Sequence, residues 1–167
     1  MSADGSKKGG KVMTGSLPKV RAARAADKEA WTAMWRAFLH DKPNEPGNRE
    51  TEALNWSRCM DPSHALHCLV SVDEADRPQG FTLYGAMPHT WTARDICYLY
   101  DIYVRPEQRG RGHAQAMIGA LAEIGRREGW FKIWWMTESD NARAQRLYDQ
   151  IAKRKDYLRY DLDILDP

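Results

Sequence analysis

One stretch of the chain, LYDIYVRPEQRGRGHAQAMIGAL at residues 99–121, constrains the fold more than any other. It opens with the aromatic and β-branched residues that are typical of a strand, and it closes with apolar residues at helical spacing. Between the two lies a basic elbow that contains Gly110 and Gly112. Glycine adopts positive φ without steric cost and lets the backbone approach a ligand closely. The stretch therefore predicts a strand that runs through a tight loop into a helix.

The elbow has the features of an anion site. The first four N–H groups of a helix have no partner within the helix, and they carry the positive end of its dipole. Arg109 and Arg111 add positive charge beside them, so a phosphate or pyrophosphate is the expected ligand. The run lacks the Lys-Ser or Lys-Thr of a P-loop, and Gln115 stands where a dinucleotide fingerprint has its third glycine. An RGG-type RNA-binding segment remains an alternative, although such segments are repeated and this run is single.

Hydrophobic periodicity predicts the remaining elements, in the order β-α-α-β-β-β-α-β-α-β. Strands that alternate with helices after an opening meander favour a mixed sheet with helices on both faces. Asp27 is expected to cap the first helix. The predicted strands are 19–27, 65–73, 80–87, 96–104, 131–137 and 157–165, and the predicted helices are 27–40, 49–59, 113–128 and 141–154.

Composition bounds the domain organisation and the partners. Residues 1–17 are rich in Gly, Ser and Lys and are predicted to be a disordered tail, whereas residues 18–167 are predicted to form a single domain. The chain has 167 residues, and its 43% of apolar residues are enough for one core. Its net charge of +2 gives no electrostatic case for nucleic acid or a membrane as a partner.

The three cysteines, Cys59, Cys68 and Cys97, are widely spaced. An odd number without a Cys-x-x-Cys or histidine pairing argues against a disulfide framework and against a structural zinc. We therefore expect free thiols, no metal and a cytoplasmic protein. No apolar window is long enough for a membrane span, and the N-terminus lacks the apolar core of a signal peptide.

Two segments together resemble the GNAT N-acetyltransferase superfamily. The elbow, Arg109-Gly110-Arg111-Gly112-His113-Ala114, is similar to the family's acyl-CoA-binding segment. The segment that holds Asn141, Ala144, Leu147 and Tyr148 is similar to the family's Asn-x-x-Ala-x-x-Leu-Tyr helix. The resemblance implies the GNAT fold, an α/β (α+β) fold with a mixed, mostly antiparallel central sheet of about six to seven strands and helices on both faces.

The resemblance also implies acetyl-CoA as cosubstrate and a set of site residues. Backbone amides of the elbow (Arg109, Gly110, Arg111, Gly112, His113 and Ala114) would hold the pyrophosphate. Pantetheine would lie between two splayed strands along Ile102, Tyr103 and Val104, and it would accept a hydrogen bond from Asn141. Tyr148 would protonate the departing thiolate. The family's Gly-Phe after the last helix is replaced here by IAKRKDYL, in which Tyr157 can fill the aromatic position.

Asp101 is the candidate base. A lysine-like amine with a pKa near 10.4 costs roughly 4–5 kcal/mol to neutralise at pH 7, and a carboxylate in the site lowers that demand. Asp101 is an isolated charge in an apolar, aromatic strand directly before the elbow. It is predicted to be either this base or an anchor for a cationic substrate. The alternative is an aspartate that pairs with an arginine or with backbone.

The acceptor is the least constrained part of the prediction. Aromatic walls with carboxylates favour a small cationic amine, such as a diamine, a polyamine or a lysine-like side chain. The alternative is that these aromatic residues pack in the core. The candidates are Trp31, Trp35, Trp56, Trp91, Trp134, Tyr98 and Tyr160, with Glu52, Asp95, Asp101 and Glu138.

The sequence thus predicts an enzyme that moves an acetyl group from acetyl-CoA to a primary amine by direct attack in a ternary complex. Two alternatives are a non-catalytic acyl-CoA sensor of the same fold and an RNA-binding protein. The first conflicts with the presence of Asn141 and Tyr148, and the second with the near-neutral charge. A homodimer is implied by the resemblance alone.

Overall fold

The computed structural model describes residues 17–41, 49–162 and 164. Within them five strands form one sheet in the order β1-β2-β3-β4-β5. The strands are β1 (Lys19–Ala22), β2 (His67–Val72), β3 (Pro78–Met87), β4 (Ile96–Val104) and β5 (Ile133–Trp134), and the helices are α1 (Lys28–His40), α2 (Arg49–Met60), α3 (His113–Glu128) and α4 (Ala142–Ile151).

The sheet is mixed and mostly antiparallel, as expected. Strands β1 to β4 pair antiparallel with their neighbours, and β5 pairs parallel with β4. The connection from β4 to β5 passes through the elbow and α3, because parallel strands need a long crossover. The predicted α/β fold class is confirmed.

Helices cover both faces of the sheet. On one face α1 and α2 bury Trp31, Met34 and Trp56 against alternate residues of β2 and β3. On the other face α3 buries Ile118 and Leu121 against residues that include Leu69, Tyr84 and Leu99. The alternation along β2 supplies both layers, because successive strand residues point to opposite faces.

The strand prediction is wrong at the C-terminal end. The predicted strand at 131–137 pairs only at Ile133–Trp134. The predicted strand at 157–165 is absent over the described residues 157–162 and 164. The alternating pattern there predicts a half-buried strand, but a strand needs an edge to pair with, and β5 has only 2 residues. The sheet therefore has fewer strands within the described chain than the six or seven expected.

Two further expectations concern the ends of the chain and the membrane. The predicted tail at 1–17 lies, apart from Leu17, outside the described residues. Each helix within the described ranges is too short or too polar to cross a membrane.

A charged cluster joins β1 to the start of α1. Arg21 donates to both carboxylate oxygens of Asp27, at 2.6 and 2.9 Å, and to Asp76 at 3.0 Å. Asp27 is 5% exposed and also accepts from the Arg24 backbone N–H at 2.8 Å. Its side chain does not cap α1 as predicted, because these partners occupy it. Burial alone would raise the pKa of Asp27, but these hydrogen bonds hold it below the ordinary aspartate value.

We expect Asp27→Ala to lower the free energy of unfolding by about 3 kcal/mol, because it removes one partner of a buried ion pair. Arg24→Ala, which breaks the exposed pair with Asp76, should cost less than about 1 kcal/mol. Urea unfolding at pH 7 measures both. Since the Asp27 pKa is lowered in the folded state, its contribution is present at neutral pH and is lost as the pH falls through that folded pKa. Equal losses for the two variants would contradict this assignment.

Candidate active site

A cleft opens where β4 and β5 part. The two strands pair only at Cys97 with Ile133 and at Tyr98 with Trp134. Beyond Tyr98, the outer edge of β4 has no strand partner among the described residues. The gap between β4 and residues 135–137 is a cleft of about 1150 Å³, with the elbow at one end and α4 along one side. The splay that the family resemblance implied is therefore present.

A β-bulge interrupts β4 at the same place. Leu83 pairs with Asp101 and Tyr84 pairs with Leu99, so Tyr100 has no partner on β3. Bulges re-aim side chains and occur often beside active sites. Sequence reasoning missed this feature, because the run YLYDIYV has the pattern of an uninterrupted strand.

The open edge of β4 presents backbone acceptors to the cleft. Thr82 Oγ1 donates to the Asp101 carbonyl at 2.9 Å, so that carbonyl faces β3. A methyl group at Gly80 would lie 2.6 Å from the Tyr103 carbonyl oxygen, so that oxygen faces β3 as well. Carbonyls alternate along a strand, and those of Ile102 and Val104 must therefore point outward. This edge can pair with the amides of an extended ligand.

The elbow closes one end of the cleft. Gly110 and Gly112 have φ of 81° and 87°, in the left-handed region that favours glycine. Gly112 is the N-cap of α3, and no side chain of the described residues accepts a hydrogen bond from the first backbone N–H groups of that helix as a cap. Arg109, Gly110, Gly112, His113 and Ala114 line the cleft, whereas the exposed Arg111 does not. The N-terminus of α3 thus opens onto this space, which fits an anionic ligand.

The imidazole of His113 is buried at the start of α3. It is 6% exposed, and burial, followed by the nearby Arg111, lowers the pKa of its imidazole. Its Nδ1 has no hydrogen-bond partner among the described residues. His113 is therefore neutral at pH 7, and its backbone rather than its ring is available to a phosphate.

Asn141 begins α4 at the far wall of the cleft. Its Oδ1 accepts a hydrogen bond from the Ala144 backbone N–H at 3.1 Å, so it is the N-cap of the helix. The Asn141 side chain also lines the cleft. The cap uses the amide oxygen, so it is compatible with the predicted donation from the amide nitrogen to pantetheine.

Tyr148 lies on α4, about two helical turns beyond Asn141. Its ring contacts Trp135 edge to face, with centroids 5.2 Å apart. Burial, helped by the negative charge of Glu138, raises the pKa of its hydroxyl above the ordinary tyrosine value. A tyrosine with a raised pKa stays protonated at neutral pH, which is the form a general acid needs.

A second cleft, of about 1680 Å³, adjoins the first at Asp101 and Tyr148. It is bounded by α1, β5 and the C-terminal segment, and both Asp101 and Tyr148 line it as well as the first cleft. Its aromatic lining includes Trp35, Tyr98 and Trp134, and its acidic lining includes Glu138. Half-buried Asp101, directly after the bulge, is thus at the boundary of the two spaces.

The predicted acceptor residues divide between this cleft and the rest of the molecule. Trp31, Trp35 and Trp56 are buried in the core, although Trp35 also borders the second cleft. Trp91 is 89% exposed on the loop before β4. Glu52 pairs with Arg36 at 2.7 Å, and Asp95 lines neither cleft. Sequence periodicity could not make this division, since an aromatic residue has the same local pattern in a core and at a cleft.

Cys97 lies on β4 and lines neither cleft. Cys97 is fully buried, and burial raises the pKa of its thiol to about 12, so it is not a nucleophile at neutral pH. The described residues contain no group of three or more His, Cys, Asp or Glu side chains that could hold a metal ion.

Comparisons with known proteins agree with this geometry. The model of the acetyltransferase (GNAT) family matches residues 29–152. The D-amino-acid N-acetyltransferase HPA3 of Saccharomyces cerevisiae is 27% identical over 143 residues, which are 84% of this chain and 88% of that protein. The thialysine N-epsilon-acetyltransferase of Sus scrofa is 36% identical over 96 residues, 53% of this chain and 56% of that protein.

Solved structures share the fold. A probable acetyltransferase superposes with a TM-score of 0.78 at 20% identity, over 89% of this chain and 99% of that one. A ribosomal-protein-alanine N-acetyltransferase from Brucella melitensis biovar Abortus 2308 gives a TM-score of 0.73 at 18% identity, over 87% and 99% of the two chains. With the splayed strands, the glycine elbow and the family match in agreement, the chain belongs to the acetyltransferase (GNAT) family and is an acyl-CoA-dependent N-acetyltransferase.

Proposed function

We propose that this enzyme transfers the acetyl group of acetyl-CoA to a primary amine of a small cationic molecule or a lysine-like side chain. The observation that carries the proposal is the meeting of two clefts at Asp101 and Tyr148. One cleft has an anion site and an open strand edge, and the other has aromatic and acidic walls. Two substrates, one in each cleft, would meet between a carboxylate and a protonated phenol.

The cofactor side follows from the cleft at the elbow. Backbone N–H groups of Arg109, Gly110, Arg111, Gly112, His113 and Ala114 would hold the pyrophosphate, and the outward edge of Ile102, Tyr103 and Val104 would hold pantetheine. Asn141 would donate to the pantetheine arm. Acetyl-CoA supplies the activated thioester, and these residues bind and orient it.

The chemical step is direct attack of the amine nitrogen on the thioester carbonyl in a ternary complex. Asp101 takes the amine proton, directly or through water, or anchors the cationic acceptor beside the carbonyl. The backbone N–H of Ile102 donates to the oxyanion, and Tyr148 gives a proton to the leaving thiolate. Holding both substrates in contact replaces a bimolecular encounter with an oriented one.

The acceptor class is supported by the lining of the second cleft and by the relatives. Tyr98 and Trp134 can face a cation, and Glu138 adds negative charge. The relatives include a D-amino-acid N-acetyltransferase and a thialysine N-epsilon-acetyltransferase, both named for small amine acceptors. A diamine, a polyamine or a lysine-like amine remains our proposal for this chain. We also propose that it acts without metal, nucleic acid or membrane.

The deciding experiment follows free CoA release from acetyl-CoA with a thiol reagent, across diamines, polyamines, amino acids and a lysine peptide. We expect release that depends on one amine class. CoA binding by calorimetry without turnover on any amine would favour the alternative, a non-catalytic acyl-CoA sensor. Absence of CoA binding would remove the cofactor assignment of the elbow.

Asp101→Asn tests the base. We expect the rate to fall most at low pH, where the amine is hardest to deprotonate, by about 10²-fold. The pH–rate profile of kcat/KM measures this. Asp95→Asn, which changes the same charge at a residue that lines neither cleft, should leave the profile in place. A parallel fall at every pH would assign Asp101 to acceptor binding instead.

We propose a homodimer on the basis of the C-terminal segment. Five large apolar side chains of this segment are between 78 and 86% exposed: Tyr157, Leu158, Tyr160, Leu162 and Ile164. Such a run of exposed apolar residues is typical of an interaction surface. A second copy would cover them. Light scattering after size exclusion should give a dimer, and a chain that ends at Asp156 should give a monomer. A monomeric full-length chain would contradict the proposal.

The cytoplasmic location and the single domain at 18–167 remain predictions.

A further inference from the structure

Arg109, the first residue of the elbow motif, has three partners that fix its side chain along the cleft. Its Nε donates to the Val104 carbonyl oxygen at 3.0 Å. Its Nη2 lies 3.4 Å from Asp41 Oδ2. Its guanidinium carbon lies 5.7 Å from the centroid of the Tyr103 ring. The guanidinium therefore lies across the open edge of β4 instead of over the elbow.

The position of Asp41 is unfavourable for an anion site. Asp41 is the C-cap of α1, and it lines the same cleft as Gly110 and Gly112. A carboxylate in this wall repels a phosphate in the elbow, and it also holds the arginine that a phosphate would attract. Among the described residues, Asp41 and an anion bound at the elbow would therefore both interact with the same cation, Arg109.

The Val104 carbonyl oxygen is the second group that binds Arg109. It points to the open edge, because the Asp101 and Tyr103 carbonyls face β3. An amide that pairs with this edge needs the same oxygen that Arg109 Nε occupies. The Arg109 side chain therefore affects both parts of a ligand: an anionic group at the elbow would attract it, and an amide at the strand edge would have to displace it from Val104.

We propose that Asp41 and the Val104 carbonyl compete with the cofactor's anionic groups for Arg109, so that Asp41 sets the affinity for CoA. The inference rests on the proposed binding of the cofactor in this cleft. A pyrophosphate at the elbow draws the guanidinium from Asp41 and uncovers Val104, so the anionic and amide parts of the ligand bind cooperatively. Asp41 is a determinant of affinity and does not touch the reacting atoms.

Asp41→Asn removes the competing charge and keeps the shape of the side chain. Since the Asp41 and Arg109 side chains are 56% and 32% exposed, the effect is that of a partly screened pair. We expect the variant to bind CoA about three- to fivefold more tightly at low ionic strength, with a smaller difference at high salt. Glu123→Gln is the matched control, because it removes the same charge from an exposed ion pair with Arg126 on α3.

The test is calorimetry of CoA and of pantetheine, which lacks the phosphates, on wild type and variants without any acetyl transfer. Arg109→Gln should weaken CoA binding about tenfold and leave pantetheine binding no weaker. Thermal unfolding without ligand checks that each variant is folded. If wild type binds CoA and Asp41→Asn binds it equally or less tightly, this inference fails and the proposed function stands. Weaker pantetheine binding by Arg109→Gln would overturn it as well. If wild type binds no CoA, both fail.

Discussion

Tyr148→Phe should lower kcat by about 10²-fold while the dissociation constant for CoA changes by less than about twofold. The substitution removes only the hydroxyl. The ring contact with Trp135 at 5.2 Å remains, so α4 and the wall of the cofactor cleft stay in place. A loss confined to turnover is the signature of a group that acts in the transition state rather than in binding.

The protonation state of Tyr148 supports this expectation. Burial raises its pKa, and Glu138 raises it further, so the hydroxyl carries its proton across the whole range from pH 6 to pH 9. The acidic side of the rate profile should therefore report deprotonation of the amine and not a titration of Tyr148. Wild-type turnover should fall on the alkaline side only above the ordinary tyrosine pKa of about 10.

A matched control separates the hydroxyl from general effects of tyrosine loss. Tyr84 is 8% exposed on β3, belongs to the core beside α3 and lines neither cleft. Tyr84→Phe should keep kcat within about twofold of wild type, as a buried hydroxyl outside the site has no role in transfer. Steady-state kinetics with a saturating amine, together with calorimetry on CoA, measures both variants. Unchanged turnover in Tyr148→Phe would remove Tyr148 from the mechanism.

Local features of the site could be predicted from the sequence because each depends on neighbouring residues. The glycines of the elbow require positive φ whatever surrounds them, and they have it at Gly110 and Gly112. The order of elements and the two-faced sheet follow from periods of two and 3.6 residues. Asn141 was also accessible, since an asparagine before an amphipathic helix is a common N-cap.

Long-range features were not predictable in this way. The bulge at Tyr100 depends on how β3 and β4 align, and the run around it looks like a regular strand. The bond between Arg109 and Asp41 joins residues 68 positions apart. The segment at 157–164 has a strand pattern, but its pairing depends on an edge that the chain does not supply within the described residues. Periodicity describes a residue's local environment and carries no information on which distant element lies beside it.

Gly112→Val should abolish CoA binding at concentrations that saturate wild type. Gly112 has φ of 87° at the N-cap of α3, where a β-branched side chain costs about 1–3 kcal/mol of strain. The elbow can escape that strain only by turning its peptide units, and those units carry the N–H groups that we propose bind the pyrophosphate. Loss of their alignment removes several hydrogen bonds to an anion together, so affinity should fall by about 10²-fold or more.

Gly119→Ala is the control for this substitution, because it adds a methyl group to the same helix at a site open to solvent. A Cβ at Gly119 meets no atom within 4 Å, and alanine has the higher helix propensity. It should therefore raise the free energy of unfolding by about 0.5–1 kcal/mol and leave CoA affinity at the wild-type value. Gly112→Asn should fall between the two, since asparagine tolerates positive φ better than valine. Calorimetry on folded protein ranks the three variants. Full CoA affinity in Gly112→Val would mean that the backbone of the elbow does not bind the cofactor, whereas graded loss with the side chain's tolerance of positive φ would identify the backbone N–H groups as the anion site.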